Sequence, residues 1–370
     1  MAGQIASGNW MGAAEIATKE SDFYNITVRD FAGRMSTRDE TVSAPLSDFV
    51  ATIIGVTRDD EKKDARVLLT GSINYVGKPS LAAVVRDPLK DIVTSNNHYE
   101  ALERGNFDLA KVLEESTQLI YKAGNNGEGS VAPNPDAAGV LTSRAFLQAH
   151  AVAGTNRRIV QYAFKIFLCK DIEGFADASQ ADNWVGRDVD RFPGGDHAQY
   201  VSKCSSCHNV MDSLRNAFAK FDFANDVIKY TAYVPNGNGD NNRNTMAQNP
   251  IGIAAKMNRN NDVFPEGLVS SNDDFVNYVN SGANKAYFGW GQTMSGSGAA
   301  EFGAMLSESK AFPLCMAHRV FRSVCKREPV IYEEDMLNNA AKDFVLDGYN
   351  LKRLFGRIAI SRECLGQQTK

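Results

Sequence analysis

No apolar run in this chain is long enough to cross a bilayer: Phe49–Val56 is too short, and Ile159–Cys169 is broken by Gln161 and Lys165. No block of like charge exceeds a few residues. The 40 Lys+Arg against 44 Asp+Glu leave a net charge of −4 with no basic stripe, which excludes an ordinary nucleic-acid binder. Residues 1–21 lack both the basic start and the continuous apolar core of a secretion signal. With 43% hydrophobic and 23% charged residues, collagen-like, coiled-coil and wholly disordered readings are excluded as well. What remains is a folded, soluble, non-membrane-spanning protein of 370 residues, enough for two domains at roughly 150 residues each.

Cysteine is scarce but informative. Of the six, Cys204 and Cys207 lie in Cys204-Ser205-Ser206-Cys207-His208, a C-x-x-C-H run of the kind that attaches a c-type haem. Two thiols three positions apart form thioethers to the two vinyl groups of one porphyrin edge, and the adjoining His208 is then held under the iron as proximal ligand. A thioredoxin-type pair needs a preceding strand and a helix N-terminus in a βαβ context, which is missing before Val201. A structural zinc site needs a second pair of ligands, and His318 is the only later histidine. The motif therefore predicts one covalently attached haem c. Such attachment takes place outside the bacterial cytoplasm, so the expected location is periplasmic or extracellular, with a signal peptide already removed.

Cys169, Cys315, Cys325 and Cys364 form an even set suited to disulfides in an oxidising compartment. Ten residues of helix separate Cys315 from Cys325 by about 15 Å, too far for a bridge. If the helices at 312–325 and 350–361 pack antiparallel, Cys364 falls beside Cys315. The expected pairing is then Cys315–Cys364 with Cys169–Cys325; Cys169–Cys315 with Cys325–Cys364 is the alternative.

Helical periodicity dominates. Leu46, Phe49, Val50 and Ile53 have the i, i+3, i+4, i+7 spacing of one buried face, with Pro45 suited to the first turn. Further helices are expected at about 61–70, 79–94, 107–121, 143–153, 155–169, 272–280, 299–309, 312–325, 333–345 and 350–361, with Thr155 as an N-cap. Asn209–Phe221 continues as the helix that carries His208. Tyr24–Val28 reads as a short extended stretch, and there is almost no other convincing strand. The Gly/Asn/Pro-rich segment Lys122–Asp136 reads as a linker and carries the expected domain boundary, and Pro235–Pro250 reads as a long loop. The fold class is mainly α: residues 139–370 as a helical cytochrome c-type haem domain with a C-terminal helical module, and residues 1–138 as an additional N-terminal helical region.

Several stretches resemble the cytochrome c domain families named for their abundance in planctomycetes. They are Gly139–Leu147 (GVLTSRAFL), the helix start Thr155-Asn156-Arg157-Arg158, Cys204–Asp222 with Met211-Asp212 and Phe221-Asp222 after the haem motif, Phe312–Pro329, and Tyr349–Leu354 with Ile358–Ser361. The resemblance covers roughly 139–370; residues 23–76 resemble the region upstream in such proteins. Cys325-Lys326-Arg327 stands where the family usually has Gly-Arg. The resemblance implies a secreted haem protein and supplies no reaction.

The iron's other face has several candidate ligands: Met246, Met257, Met294, His150, His197 and His318. Met211, one turn after His208, lies on the proximal side. Met294, in a Gly/Ser-rich loop before the helix at 299–309, is the first choice by analogy with small cytochromes c; Met257 and then a histidine follow. Met305 and Met316 read as core, His318 as a partly buried satisfied histidine, His98 as a surface loop residue, and Tyr287 and Trp290 as core or haem edge. Arg215 is a propionate candidate or a solvated helix residue. Asp273-Asp274 lacks EF-hand spacing.

Three functional readings follow. With Met294 ligated, the protein is an electron carrier whose redox partner is unspecified, the sulfur ligand and burial raising the potential. With an open sixth position it is a peroxidase-like enzyme, although di-haem peroxidases carry two C-x-x-C-H motifs and this chain has one. In the third, residues 1–138 dock the cytochrome to a partner or to another copy of itself.

Overall fold

Apolar periodicity is realised as helix over most of the chain. The computed structural model describes residues 1–81, 92–123, 129–230 and 252–366. The helices that position the site and core are α1 (Trp10–Ala17), α2 (Arg29–Ser36), α3 (Asp48–Arg58), α4 (Arg144–His150), α5 (Arg157–Leu168), α6 (His197–Lys203), α7 (Ser205–Arg215), α8 (Gly298–Ser307), α9 (Ala311–Cys325), α10 (Glu334–Leu346) and α11 (Leu351–Ala359). About 53% of the structure is helical, so the mainly α expectation holds. No helix among the described residues is long and apolar enough to cross a membrane.

The sequence suggested one buried face for α3, but Asp48–Thr57 are buried on every side, as in a helix at the centre of a core. Its polar groups are satisfied within the core. Thr57 Oγ1 donates to Ile53 O at 2.7 Å and Thr52 Oγ1 to Asn74 Oδ1 at 3.2 Å. Ser47 caps the helix through Val50 N, so Pro45 lies outside the first turn. Asp48 accepts from the backbone of Arg144 and Ala145 at 2.5 and 3.0 Å, placing a carboxylate at the N-terminus of α4, where the helix dipole favours it. One apolar cluster takes side chains from Tyr24 through Ile358 and so draws on both sides of residue 138.

Short antiparallel pairs account for several departures from the expected helices. They are β1 (Asn74–Gly77) with β2 (Leu113–Ser116), β3 (Leu119–Ala123) with β4 (Gly129–Pro133), β5 (Phe221–Ala224) with β6 (Val227–Tyr230), and β7 (Asp274–Val276) with β8 (Ser295–Ser297). The helix expected over 107–121 stops after Val112, because its second half pairs with residues 74–77 and 129–133. Within the presumed linker at 122–136, Lys122–Ala123 end β3 and Gly129–Pro133 form β4, while 124–128 lie outside the described residues; the stretch 272–280, expected as helix, contains β7. Three-to-five-residue strands leave too short an alternation to be read from sequence. Conversely, Phe23–Val28 is not extended but a wide helical turn leading into α2. Only Val67–Thr70 of the 61–70 segment is helical. Residues 82–91 of the 79–94 segment, and all of Pro235–Pro250 with Met246, lie outside the described residues.

The C-terminal helices α9, α10 and α11 pack on one another, and α11 also packs on α1. The disulfides are Cys169–Cys315 (Cα–Cα 5.2 Å) and Cys325–Cys364 (5.1 Å), which corrects the expected Cys315–Cys364 and Cys169–Cys325. The error lies in helix direction. Because α10 intervenes and reverses the chain, α11 runs the same way as α9: Phe312 at the start of α9 meets Tyr349 before α11, and the two ends converge at Cys325–Cys364. Cys169 closes α5 in the left-handed region, and buried Arg319 donates to the terminal carbonyls of Ile166 and Lys165 at 2.6 and 2.9 Å, as basic residues at helix C-termini do.

Candidate functional site

The C-x-x-C-H run sits at a helix junction. Asp196 caps α6 through Ala198 N at 2.9 Å, Cys204 is the single residue between α6 and α7, and His208 N donates to Cys204 O at 3.1 Å. The motif thus occupies the first turn of α7, and the helix carries His208 as expected but is shorter than the expected run to Phe221: it ends at Arg215, a single 3₁₀ turn follows at Asn216–Phe218, and Phe221 begins β5. Cys204 and Cys207 are the free cysteines, both half-buried. Cys204 packs on a satellite cluster of Val185, Val189 and Tyr200, and Cys207 on the margin of the main core. Burial pushes the Cys207 thiol up, the opposite of the low-pKa thiolate that a redox C-x-x-C exploits. Among the described residues, no three His, Cys, Asp or Glu side chains converge on a metal-sized site, and a tetrahedral zinc set needs four.

Behind His208 lies a feature that sequence reading missed. His208 Nδ1 is 3.3 Å from Asp212 Oδ1, one turn on. Asp212 is fully buried and is held by Arg157, Nε to Oδ1 at 2.5 Å and Nη2 to Oδ2 at 2.6 Å. Gly186 N adds a bond to Oδ2 at 3.2 Å, and Arg215 lies 3.7 Å from the same oxygen. Asp188 completes the cluster, accepting from Arg157 at 2.7 and 3.0 Å and facing Arg215 at 3.5 Å. Two guanidiniums and two carboxylates balance. Burial alone would raise the Asp212 carboxyl, but Arg157 and Arg215 outweigh it and hold it well below the usual carboxylate range. Asp188 is likewise held low, against its own burial, by Arg157 and Arg215.

Each residue of the Thr155-Asn156-Arg157 start serves this cluster or its walls. Thr155 does not cap α5: its hydroxyl bonds Asp188 at 3.3 Å and accepts from Arg157 at 2.8 Å. Asn156, in the left-handed region, ties α5 to the segment after α7 through Phe218 O and Phe221 O at 2.7 and 3.0 Å. The cluster closes against bare backbone at Gly186, where a Cβ would lie 2.3 Å from Arg215 Nη2 and 2.4 Å from Asp188 Oδ1 and would displace one of those side chains. Arg215 is buried and donates to Thr155 O at 3.2 Å, which corrects its reading as a solvated helix residue. The one sequence signal for the cluster was the shared presence of Arg157 and Asp212 in the family-like stretches; no spacing linked them to Asp188.

The other candidates fall in different places. Met294 is half-buried; its carbonyl accepts from Asn277 N at 2.8 Å, and β8 begins at the next residue. β7, paired with β8, packs against α7, and the contact includes Asn216, just past the end of α7, donating to Asp274 O at 2.7 Å. Met257 is buried in a small cluster with Ala219, Ile253 and Ala254. His150 is fully buried between Phe146 and Tyr162. His197 is exposed, its Nδ1 2.8 Å from Arg191 O. His318 is half-buried and 3.3 Å from Glu334; Met305 and Met316 are core. Tyr287 donates to Leu168 O at 3.2 Å, and Trp290 stacks on Phe288. Asp273 pairs with Lys220 at 2.7 Å. His98 is not a surface residue. It is fully buried on the helix Asn97–Arg104, and its Nε2 accepts from Gly77 N at 2.9 Å. Compared with protein-family models, with curated proteins and with solved structures, the chain matches none.

Proposed function

We propose that this chain is an exported c-type cytochrome that transfers electrons through one haem held covalently by Cys204 and Cys207. The observation that carries the reading is the division of the cysteines. Four are spent in two disulfides, while the two of the C-x-x-C-H run remain thiols at the first turn of the helix bearing His208. This donor set fits the group: two thiols for the porphyrin edge, and an imidazole whose Nδ1 is engaged by Asp212, leaving Nε2 as the ligating nitrogen. When bound, a haem supplies a reversible one-electron couple. The protein residues orient that group: the start of α7 fixes the spacing of Cys204, Cys207 and His208, Asp212 selects the imidazole tautomer, and Met294, the residue before β8, is the first candidate for the distal side. The two disulfides support a periplasmic or extracellular location, and the cytochrome c-type haem domain is the finer reading of the mainly α fold.

Haem staining after denaturing electrophoresis tests this. The wild type made in a host that matures c-type cytochromes is expected to stain, and the Cys204→Ser, Cys207→Ser double variant is not. A double variant that keeps its stain overturns the assignment. Met294→Ala is expected to remove the weak long-wavelength band of sulfur-ligated ferric haem; an unchanged spectrum moves the distal ligand to Met257, Met246 or a histidine.

A further inference from the structure

We infer that Asp212 is the positioning residue of the iron site, lowering the haem's reduction potential relative to the same site with an uncharged partner on His208. The inference rests on the haem reading above and concerns residues of this chain alone. Asp212 lies four positions after His208 on α7, so helix geometry alone puts the carboxylate one turn from the imidazole. The contact at 3.3 Å takes Nδ1 and thereby assigns the hydrogen to Nδ1 and the lone pair to Nε2. A carboxylate in this position makes a ligating histidine more basic than a carbonyl or water does. A more basic ligand donates more strongly to iron and favours the ferric over the ferrous state.

Three further observations make Asp212 suited to this task. It is fully buried, so water does not screen its charge from the imidazole. It is gripped on both oxygens by Arg157 and on Oδ2 by Gly186 N, so it has no freedom to turn away from His208. Finally, Asp188 offsets the second guanidinium, so the cluster adds no net positive charge behind His208 that would cancel the effect. With a haem bound, the group would supply a one-electron couple exchanged with an external donor, and His208 would keep its hydrogen on Nδ1, donated to Asp212, without a proton transfer. The influence of Asp212 opposes the rise that a methionine sulfur ligand brings.

The test uses the haem-loaded protein. In a redox titration, Asp212→Asn is expected to raise the ferrous-to-ferric ratio at a fixed ambient potential by about tenfold, equivalent to about 59 mV for a one-electron couple, and Asp212→Glu is expected to return it toward the wild type. Because Asp212→Asn leaves Arg157 and Arg215 short of a charge and puts folding at risk, a second measurement uses the unaltered protein. The His208 Nδ1–H proton of the ferrous form is expected to be shifted downfield and protected from solvent exchange. A loaded Asp212→Asn variant with an unchanged potential, or an Nδ1–H that exchanges as fast as that of a free histidine, overturns the inference while the haem assignment stands. A wild type without covalent haem overturns both.

Discussion

Arg157 grips both oxygens of Asp212 across 55 positions of sequence, with donor distances of 2.5 and 2.6 Å. The pair joins the start of α5 to the second half of α7, tying the helix of the C-x-x-C-H run to the core. Removing one partner of such a buried pair leaves an uncompensated charge in a low-dielectric setting. Arg157→Met is therefore expected to lower unfolding stability by about 3–5 kcal/mol, read from denaturant titration. Arg157→Lys should fall between the two, since an ammonium keeps the charge but cannot form the fork. A loss within experimental error for Arg157→Met would show the cluster to be energetically idle.

His150 carries a pH dependence. Burial, with Arg38 and Arg158 nearby, pushes it down to about 3, while the unfolded chain titrates near 6.5. Between those values the unfolded state binds a proton that the folded state refuses, so the stability from a neutral His150 is complete above 6.5 and declines as pH falls toward 3. Both ring nitrogens lack hydrogen-bond partners, and the ring stacks on Tyr162 at 4.2 Å. His150→Phe is expected to be at least as stable as the wild type at pH 7.5. Its relative advantage should grow by about 1.4 kcal/mol per pH unit below 6. Parallel stability curves for the two proteins would refute this.

Gly303 on α8 is in contact with the chain at Leu69. A Cβ at this position would lie 1.9 Å from the Leu69 carbonyl oxygen, and a backbone atom cannot swing aside as a side chain does. Gly303→Ala is expected to destabilise by roughly 3 kcal/mol, at the upper end for overpacking, despite the better helix propensity of alanine. A thermal midpoint equal to that of the wild type would contradict the packing of α8 on Val67–Thr70.

Peptide mapping without reduction should yield Cys169–Cys315 and Cys325–Cys364 peptides. The loops they close span 146 and 39 residues. On the chain-entropy account, the first bridge stabilises by about 5 kcal/mol and the second by about 4 kcal/mol, so Cys169→Ser, Cys315→Ser is expected to cost more than Cys325→Ser, Cys364→Ser. A Cys315–Cys364 peptide would overturn the parallel course of α9 and α11.

The features legible from sequence act within a turn or two of helix. The C-x-x-C-H run, the helix that carries it, the 311–325 and 334–346 helices, and the inability of Cys315 to reach Cys325 all follow from periodicity, rise per residue and thiol spacing. What only the tertiary structure decided are meetings between distant segments. His98 and His150 had no local mark of burial. Asp188 lies 31 positions from Arg157 and Asp212 lies 55, and nothing within either neighbourhood identifies the partner. The direction of α11 relative to α9, and with it the disulfide pairing, depends on how α10 packs between them. Period and spacing are properties of a short stretch of chain, whereas the burial of a charge or the register of two helices is set by the whole core that closes around them.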